Sequence, residues 1–268
     1  MTLQTSSSSH SLLSSLAVQG RVIHALLMRE IMTRYGRHNI GFLWLFVEPM
    51  LFTTGVTAIW TATSSFHGSK LPIVSFALTG YSSVLLWRNM PARCISAIQP
   101  NLALMFHRNV RPLDIYAARI LLEGIGASIS LTVLTLFYMS LGWMDPPQDV
   151  LEVVFGWLLL AWFGAALALF VGALSERSEL VEKIWHPLAY LTFPLSGAAY
   201  MVDSLPQGVQ KFAMLVPMVN GVELIREGYF GSYFHAHYDI PYTVVFNLVL
   251  TLVAMAQLSI TSREIIPE

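Results

Sequence analysis

Between Glu152 and Glu176 the chain carries no charged side chain. As a helix, the segment near 150–174 is long enough to cross about 30 Å of hydrocarbon, which takes roughly 20 residues. In that medium the backbone must satisfy its own hydrogen bonds, so a single-chain span is a helix. Comparable stretches fall near 41–63, 72–91, 115–142, 181–201 and 242–261. The sequence thus predicts an all-α integral membrane protein with six transmembrane helices. Pro187 and Pro194 interrupt the fifth stretch and would kink or divide it.

Composition excludes the soluble classes. With 55% hydrophobic and 12% charged residues and a mean hydropathy of +0.60, 268 residues are too apolar for a water-exposed domain of this size. The 15 Lys and Arg against 16 Asp and Glu leave no polyanion-binding surplus, which argues against a nucleic-acid partner. Cys94 is the single cysteine, so no internal disulfide and no Cys-based metal site is expected.

Six crossings place both termini on one side, and basic residues decide which. Arg21, Arg29, Arg34, Arg37, Arg88, Arg93, Arg108, Arg111, Arg119, Arg177, Lys183 and Arg263 fall with the termini; Lys70, Lys211 and Arg226 fall opposite. Both termini are expected in the cytoplasm, with the chain crossing the membrane several times. Residues 1–19, with the serine run Ser6 to Ser9, read as a disordered cytoplasmic tail, and 20–268 as one membrane domain. Val22, Ile23, Leu26, Leu27 and Ile31 recur at helical spacing among Arg21, Arg29, Glu30 and Arg34, predicting an N-terminal amphipathic helix at the interface.

Two connections are too long for turns. The cytoplasmic one, from about 92 to 113, mixes apolar and basic residues with Pro100, Asn109 and Pro112, and predicts short helices along the membrane. The outer one, 202–241, contains the apolar run Phe212 to Met218; Asn220 followed by Glu223 resembles a capping box, with Arg226 three residues further on the same face. A periplasmic re-entrant hairpin between the fifth and sixth spans is expected, its loop covered by protein.

Chemistry-bearing motifs are sparse. No phosphate-binding loop of the form G-x-x-x-x-G-K-[ST] occurs, so the chain is not expected to hydrolyse ATP itself; were it part of a pump, the nucleotide site would be on another polypeptide. Ser82 and Ser83 lack a histidine partner in the last span for intramembrane hydrolysis, and His235 and His237 lack a third ligand. Glu48, before Pro49 in the first span, is a buried carboxylate that needs a reason: a gate, or pairing with a neighbouring helix. Glu123 sits near the cytoplasmic half of the third span, in reach of Arg119. Trp and Tyr residues such as Trp44, Tyr81, Trp185 and Tyr200 mark membrane boundaries, or line a path on which a sugar's C–H face slides.

The run Arg29-Glu30-Ile31-Met32-Thr33-Arg34-Tyr35-Gly36-Arg37, then Gly41-Phe42-Leu43-Trp44 and Glu48-Pro49, closely resembles the permease subunits of capsular polysaccharide ABC exporters. The likeness continues at Pro217, Asn220, Glu223, Arg226 and Phe230, and the architecture from about residue 17 onward is similar. O-antigen and teichoic-acid exporter permeases share the arginine-tyrosine and Leu-Trp features, so those polymers stay open, as does a membrane-embedded enzyme of envelope synthesis. The resemblance implies a homodimer with two cytoplasmic ATPase subunits that hold ATP and Mg, no cofactor in this chain, and periplasmic co-polymerase-type and outer-membrane export proteins. Its substrate would be a lipid-linked polysaccharide.

On that basis Arg21, Arg34, Arg37 and Trp44 are candidates for meeting the lipid anchor among the membrane lipids, and Glu48 for an intramembrane gate or pairing. Phe106, His107, Arg108, Asn109 and Pro112 are candidates for coupling to the ATPase, and Asn220, Glu223 and Arg226 for closing the periplasmic hairpin.

Overall fold

A computed structural model of the chain describes residues 12–35, 40–62, 71–107 and 110–265. Among these residues every regular element is helical. In chain order they are α1 (Leu12–Tyr35), α2 (Ile40–Ala62), α3 (Ile73–Cys94), α4 (Leu102–His107), α5 (Pro112–Ser140), α6 (Val150–Ser175), α7 (Glu179–Leu191), α8 (Gln207–Met214), α9 (Pro217–Phe230) and α10 (Ile240–Ile265).

Among the described residues, α5, α6 and α10 are long and apolar enough to cross a bilayer. Their starts are set locally. Pro112 supplies a preformed first-turn φ for α5, and Asp114 accepts from the Arg111 N–H at 2.9 Å. Asp149 caps α6 by accepting from the N–H groups of Leu151 and Glu152 at 2.8 and 3.0 Å.

One stretch divides as its prolines predict, and one element departs from the sequence reading. The stretch 181–201 is not one helix: α7 has 13 residues, runs through Pro187 and stops at Leu191, and a 3-10 turn at Phe193–Leu195 carries Pro194. A helix that short covers only about 20 Å, and Pro194, lacking an N–H, cannot extend the ladder. α1 begins at Leu12, so residues 12–19, read as tail, are its first turns; Leu, Ala and Gln with no proline or glycine favour helix there. Its apolar face docks on the protein's own core: Leu26 is buried, with Val22, Ile23 and Leu27 packed beside it.

α6 is the axis of the packing. α10 runs parallel to it, fastened by Asn247 Nδ2 donating to the Leu159 carbonyl, Trp162 Nε1 to Thr251 Oγ1 and Thr261 Oγ1 to the Ala173 carbonyl, each 3.1 Å. Gly156, Gly164 and Gly172, about two turns apart, let neighbouring backbones close in. A Cβ at Gly164 would lie 3.1 Å from Trp87 Cα, and one at Gly172 3.0 Å from the Cys94 carbonyl oxygen, both on α3. α9 runs antiparallel to the first half of α6, with Gly228 against Val153 and Gly221 against Leu160. The pair α8 and α9 therefore turns back about midway along α6.

Candidate functional site: a buried hairpin and the platform opposite it

In α9 all residues but Glu227 are buried. The helix starts at Pro217, a residue suited to the first turn, so Asn220 is inside it and not its cap, as the sequence had suggested. Asn220 instead joins two loops. Its Nδ2 donates to the Met214 carbonyl at 2.8 Å and its Oδ1 accepts from the Asp239 N–H at 2.7 Å. One turn on, Glu223 accepts from the N–H groups of Val202 at 3.3 Å and His237 at 3.1 Å.

Arg226 is fully buried and meets the irregular segment that follows α7. Its Nη1 donates to the carbonyls of Gly197 and Tyr200, both 2.7 Å, and its Nη2 to that of Ala198 at 2.6 Å. The guanidinium carbon stands 3.7 Å from the centre of the Phe76 ring. The segment turns at Gly197, whose φ of +78° suits glycine, and presses against Gly80 of α3, where any Cβ would strike the Ala198 carbonyl. Non-helical backbone deep in a membrane protein persists only when its polar groups are satisfied by protein. Arg226 satisfies three of them with one side chain.

At the other end, α1 is held to α5 and to the connection after α3. Gln19 Nε2 donates to Asp114 Oδ1 at 2.6 Å, Arg119 Nε pairs with Glu30 at 3.1 Å, and Arg29 bonds Asn101. Arg119 Nη1 also donates to the Arg93 carbonyl at 2.7 Å, while the Arg93 side chain pairs with Glu123 at 3.4 Å. Arg93 is a partner for Glu123 that the sequence did not point to.

The connection itself is braced. Ser96, with a φ of +47°, donates from its N–H to Ser175 Oγ at 3.1 Å and from its hydroxyl to Glu182 at 3.1 Å. The Ile98 N–H donates to Glu176 at 2.7 Å. Burial pushes the Glu176 carboxyl above its usual range in spite of that bond. The clue available in sequence was the abrupt polar cluster Ser175-Glu176-Arg177-Ser178-Glu179 closing a long uncharged run. Their partners nearly eighty residues upstream left no such trace.

Of the other candidates, Arg21 is exposed on α1, Phe106 is exposed on α4, and Pro112 is buried in the first turn of α5. Arg37, Arg108 and Asn109, and the side chains of Arg34, Trp44, Glu48 and His107, lie outside the described residues. His237 faces Asp203, its Nε2 3.0 Å from Oδ1. Among the described residues no group of three or more His, Cys, Asp or Glu could hold a metal ion.

Residues 21–230 match the ABC-2 type transporter family. The chain is similar to the capsule polysaccharide export inner-membrane protein CtrC of Neisseria meningitidis serogroup B, with 44% identity over 254 residues, 95% of this chain and 96% of the relative. It is 43% identical to the capsule polysaccharide export inner-membrane protein BexB of Haemophilus influenzae, over 95% of this chain and 96% of that one. More distantly, it is 26% identical over 246 residues to the polysialic acid transport protein KpsM of Escherichia coli, covering 91% of this chain and 94% of KpsM. The apolar helices, the buried hairpin and these relatives agree: the chain belongs to the ABC-2 type transporter family, beside the capsule polysaccharide export inner-membrane proteins.

Proposed function

We propose that this chain is the membrane-spanning subunit of an ATP-driven exporter that carries a lipid-anchored capsular polysaccharide across a bacterial inner membrane. The observation that carries the reading is its 44% identity, along 95% of its length, to a protein named for capsule polysaccharide export. Six crossings are assigned to α2, α3, α5, α6, α10 and α7 with its continuation to Tyr200. Their directions support this: α3 runs parallel to α6, and α7 antiparallel to α3, with Glu182 bonded to Ser96 and Tyr190 against Arg88. Both termini are then cytoplasmic, and the hairpin of α8 and α9 enters from the periplasmic side.

In this arrangement two copies form the pathway, and two cytoplasmic ATPase subunits bind ATP and Mg and drive it. Periplasmic co-polymerase-type and outer-membrane export proteins take the polymer onward. Arg21, Arg34, Arg37 and Trp44 receive the lipid anchor at the cytoplasmic interface, where arginine forms charge-assisted bonds to phosphate. Phe106, His107, Arg108 and Asn109, with Pro112 anchoring the following helix, pass the ATPase stroke to the spans, and Glu48 pairs or gates within the first. Asn220, Glu223 and Arg226 keep the hairpin shut against leakage.

The test is copurification with a candidate ATPase subunit, followed by ATP hydrolysis with and without lipid-linked polymer. A stable complex with polymer-stimulated hydrolysis is expected. A chain that binds no ATPase, and whose loss leaves capsule on the cell surface, would sink the reading.

A further inference from the structure

Near the α1 end a cavity of about 370 Å³ opens between α3, α5 and α7. Arg88 of α3 stands in its wall, half-buried, its guanidinium carbon 5.0 Å from the centre of the Tyr190 ring. Arg93, the other cation of this cavity, is already paired with Glu123. Arg88 has no carboxylate within ion-pair distance among the described residues. A cation roughly 9 Å inside the end of a spanning helix is costly without a counter-charge, and such residues mark ligand paths.

The rest of the wall suits a sugar. Tyr81, Trp185 and Tyr190 offer flat ring faces, and Asn89 and His186 add groups that form hydrogen bonds. Trp185 Nε1 and Ser130 Oγ, both in residues of the wall, are buried without a partner among the described residues. Both atoms are closed off from the cavity itself, so the polar groups left for a ligand are those of Arg88, Asn89 and His186, Arg88 having no carboxylate partner among the described residues.

We propose that this cavity binds an oxyanion carried on a sugar ring, with Arg88 pairing the charge and Tyr190 and Trp185 forming the platform. The proposal rests on the exporter reading and names a substrate-binding site within it. The anion has two sources of like chemistry: the phosphate joining glycan to lipid, or the acidic sugars of the polymer. Arginine suits either, because its planar fork donates two bonds to phosphate or carboxylate while its face stacks on tyrosine.

The experiment uses the chain with its ATPase in nanodiscs of neutral phosphatidylcholine, titrated with glucose 1-phosphate, a tetramer of N-acetylneuraminic acid, and neutral maltotetraose. Saturable binding of an acidic probe is expected, weakened about tenfold in Arg88→Gln, with maltotetraose unaffected by the substitution. Arg88→Lys should fall between, keeping charge and losing the fork, and it carries the test if Arg88→Gln fails to accumulate. Binding of glucose 1-phosphate alone assigns the anchor phosphate, and binding of the sialic acid tetramer alone assigns the polymer; both support the site. If the acids bind no better than maltotetraose, or both variants bind them like the wild type, Arg88 merely reaches toward the interface and the site is overturned. A copurifying ATPase would then leave the exporter reading intact, whereas a wild-type chain that binds no ATPase overturns both.

Discussion

Arg226 illustrates how one side chain can hold a segment that secondary structure does not. Its two terminal nitrogens meet three carbonyls, from residues 197, 198 and 200. Arg226→Leu should destabilise the purified protein by about 3 kcal/mol or more, since three buried acceptors lose their donor. Arg226→Lys should recover only part of this, because an ammonium lacks the fork; thermal unfolding in detergent reads both, and wild-type stability in the leucine variant would refute the role. A second residue-scale effect is pH-dependent. The Glu176 carboxyl is raised by burial above its usual 4.5, so its contribution is fully present below that value and is lost as pH rises through the folded-state pKa. Glu176→Gln should therefore flatten the decline of melting temperature above about pH 4.5, and an unchanged profile would count against it. Sequence exposed Arg226 as a candidate through its helical spacing from Asn220 and Glu223. It could not expose the partners, because loop carbonyls leave no pattern in side-chain identity.

At the scale of elements, legibility followed the length of the apolar run. α5, α6 and α10 coincide with long uninterrupted stretches, where one physical demand, backbone satisfaction in hydrocarbon, dictates one structure. α7 was obscured because Pro187 is tolerated within it while Pro194 ends regular helix nearby, and spacing alone does not separate the two cases. The start of α1 was missed because a serine run near the N-terminus reads as disorder although Leu12 to Val18 favour helix. Packing was also partly written in sequence, as glycines of α6. Gly172→Val should be poorly tolerated: even its Cβ would come 2.7 Å from the Tyr116 ring and 3.0 Å from Cys94. Overpacking of this kind costs about 1–3 kcal/mol, and a lowered melting temperature together with reduced capsule at the surface is expected. Gly55→Val, where an added Cβ meets no other part of the protein within 4 Å, is the control that should behave as wild type.

For the whole molecule, the arrangement makes sidedness measurable. Cys94 is buried with 0% exposure, so Cys94→Ala gives a background for single reporters at Gly20 and Gly208, where a new side chain meets nothing within 4 Å. A maleimide that cannot cross the membrane should label Gly208→Cys in intact spheroplasts and Gly20→Cys only after lysis; the reverse pattern would invert the topology. The bond set of Arg226 also has a consequence for biogenesis. The backbone from Gly197 to Tyr200 has its donor in a helix made later on the ribosome. Until α9 emerges, that stretch cannot leave water or the insertion machinery for lipid without stranding its carbonyls. On the six-crossing topology proposed above, α7 and the hairpin would enter the bilayer together, as one late insertion unit, and a nascent chain cut between them would have no stable resting place in the membrane.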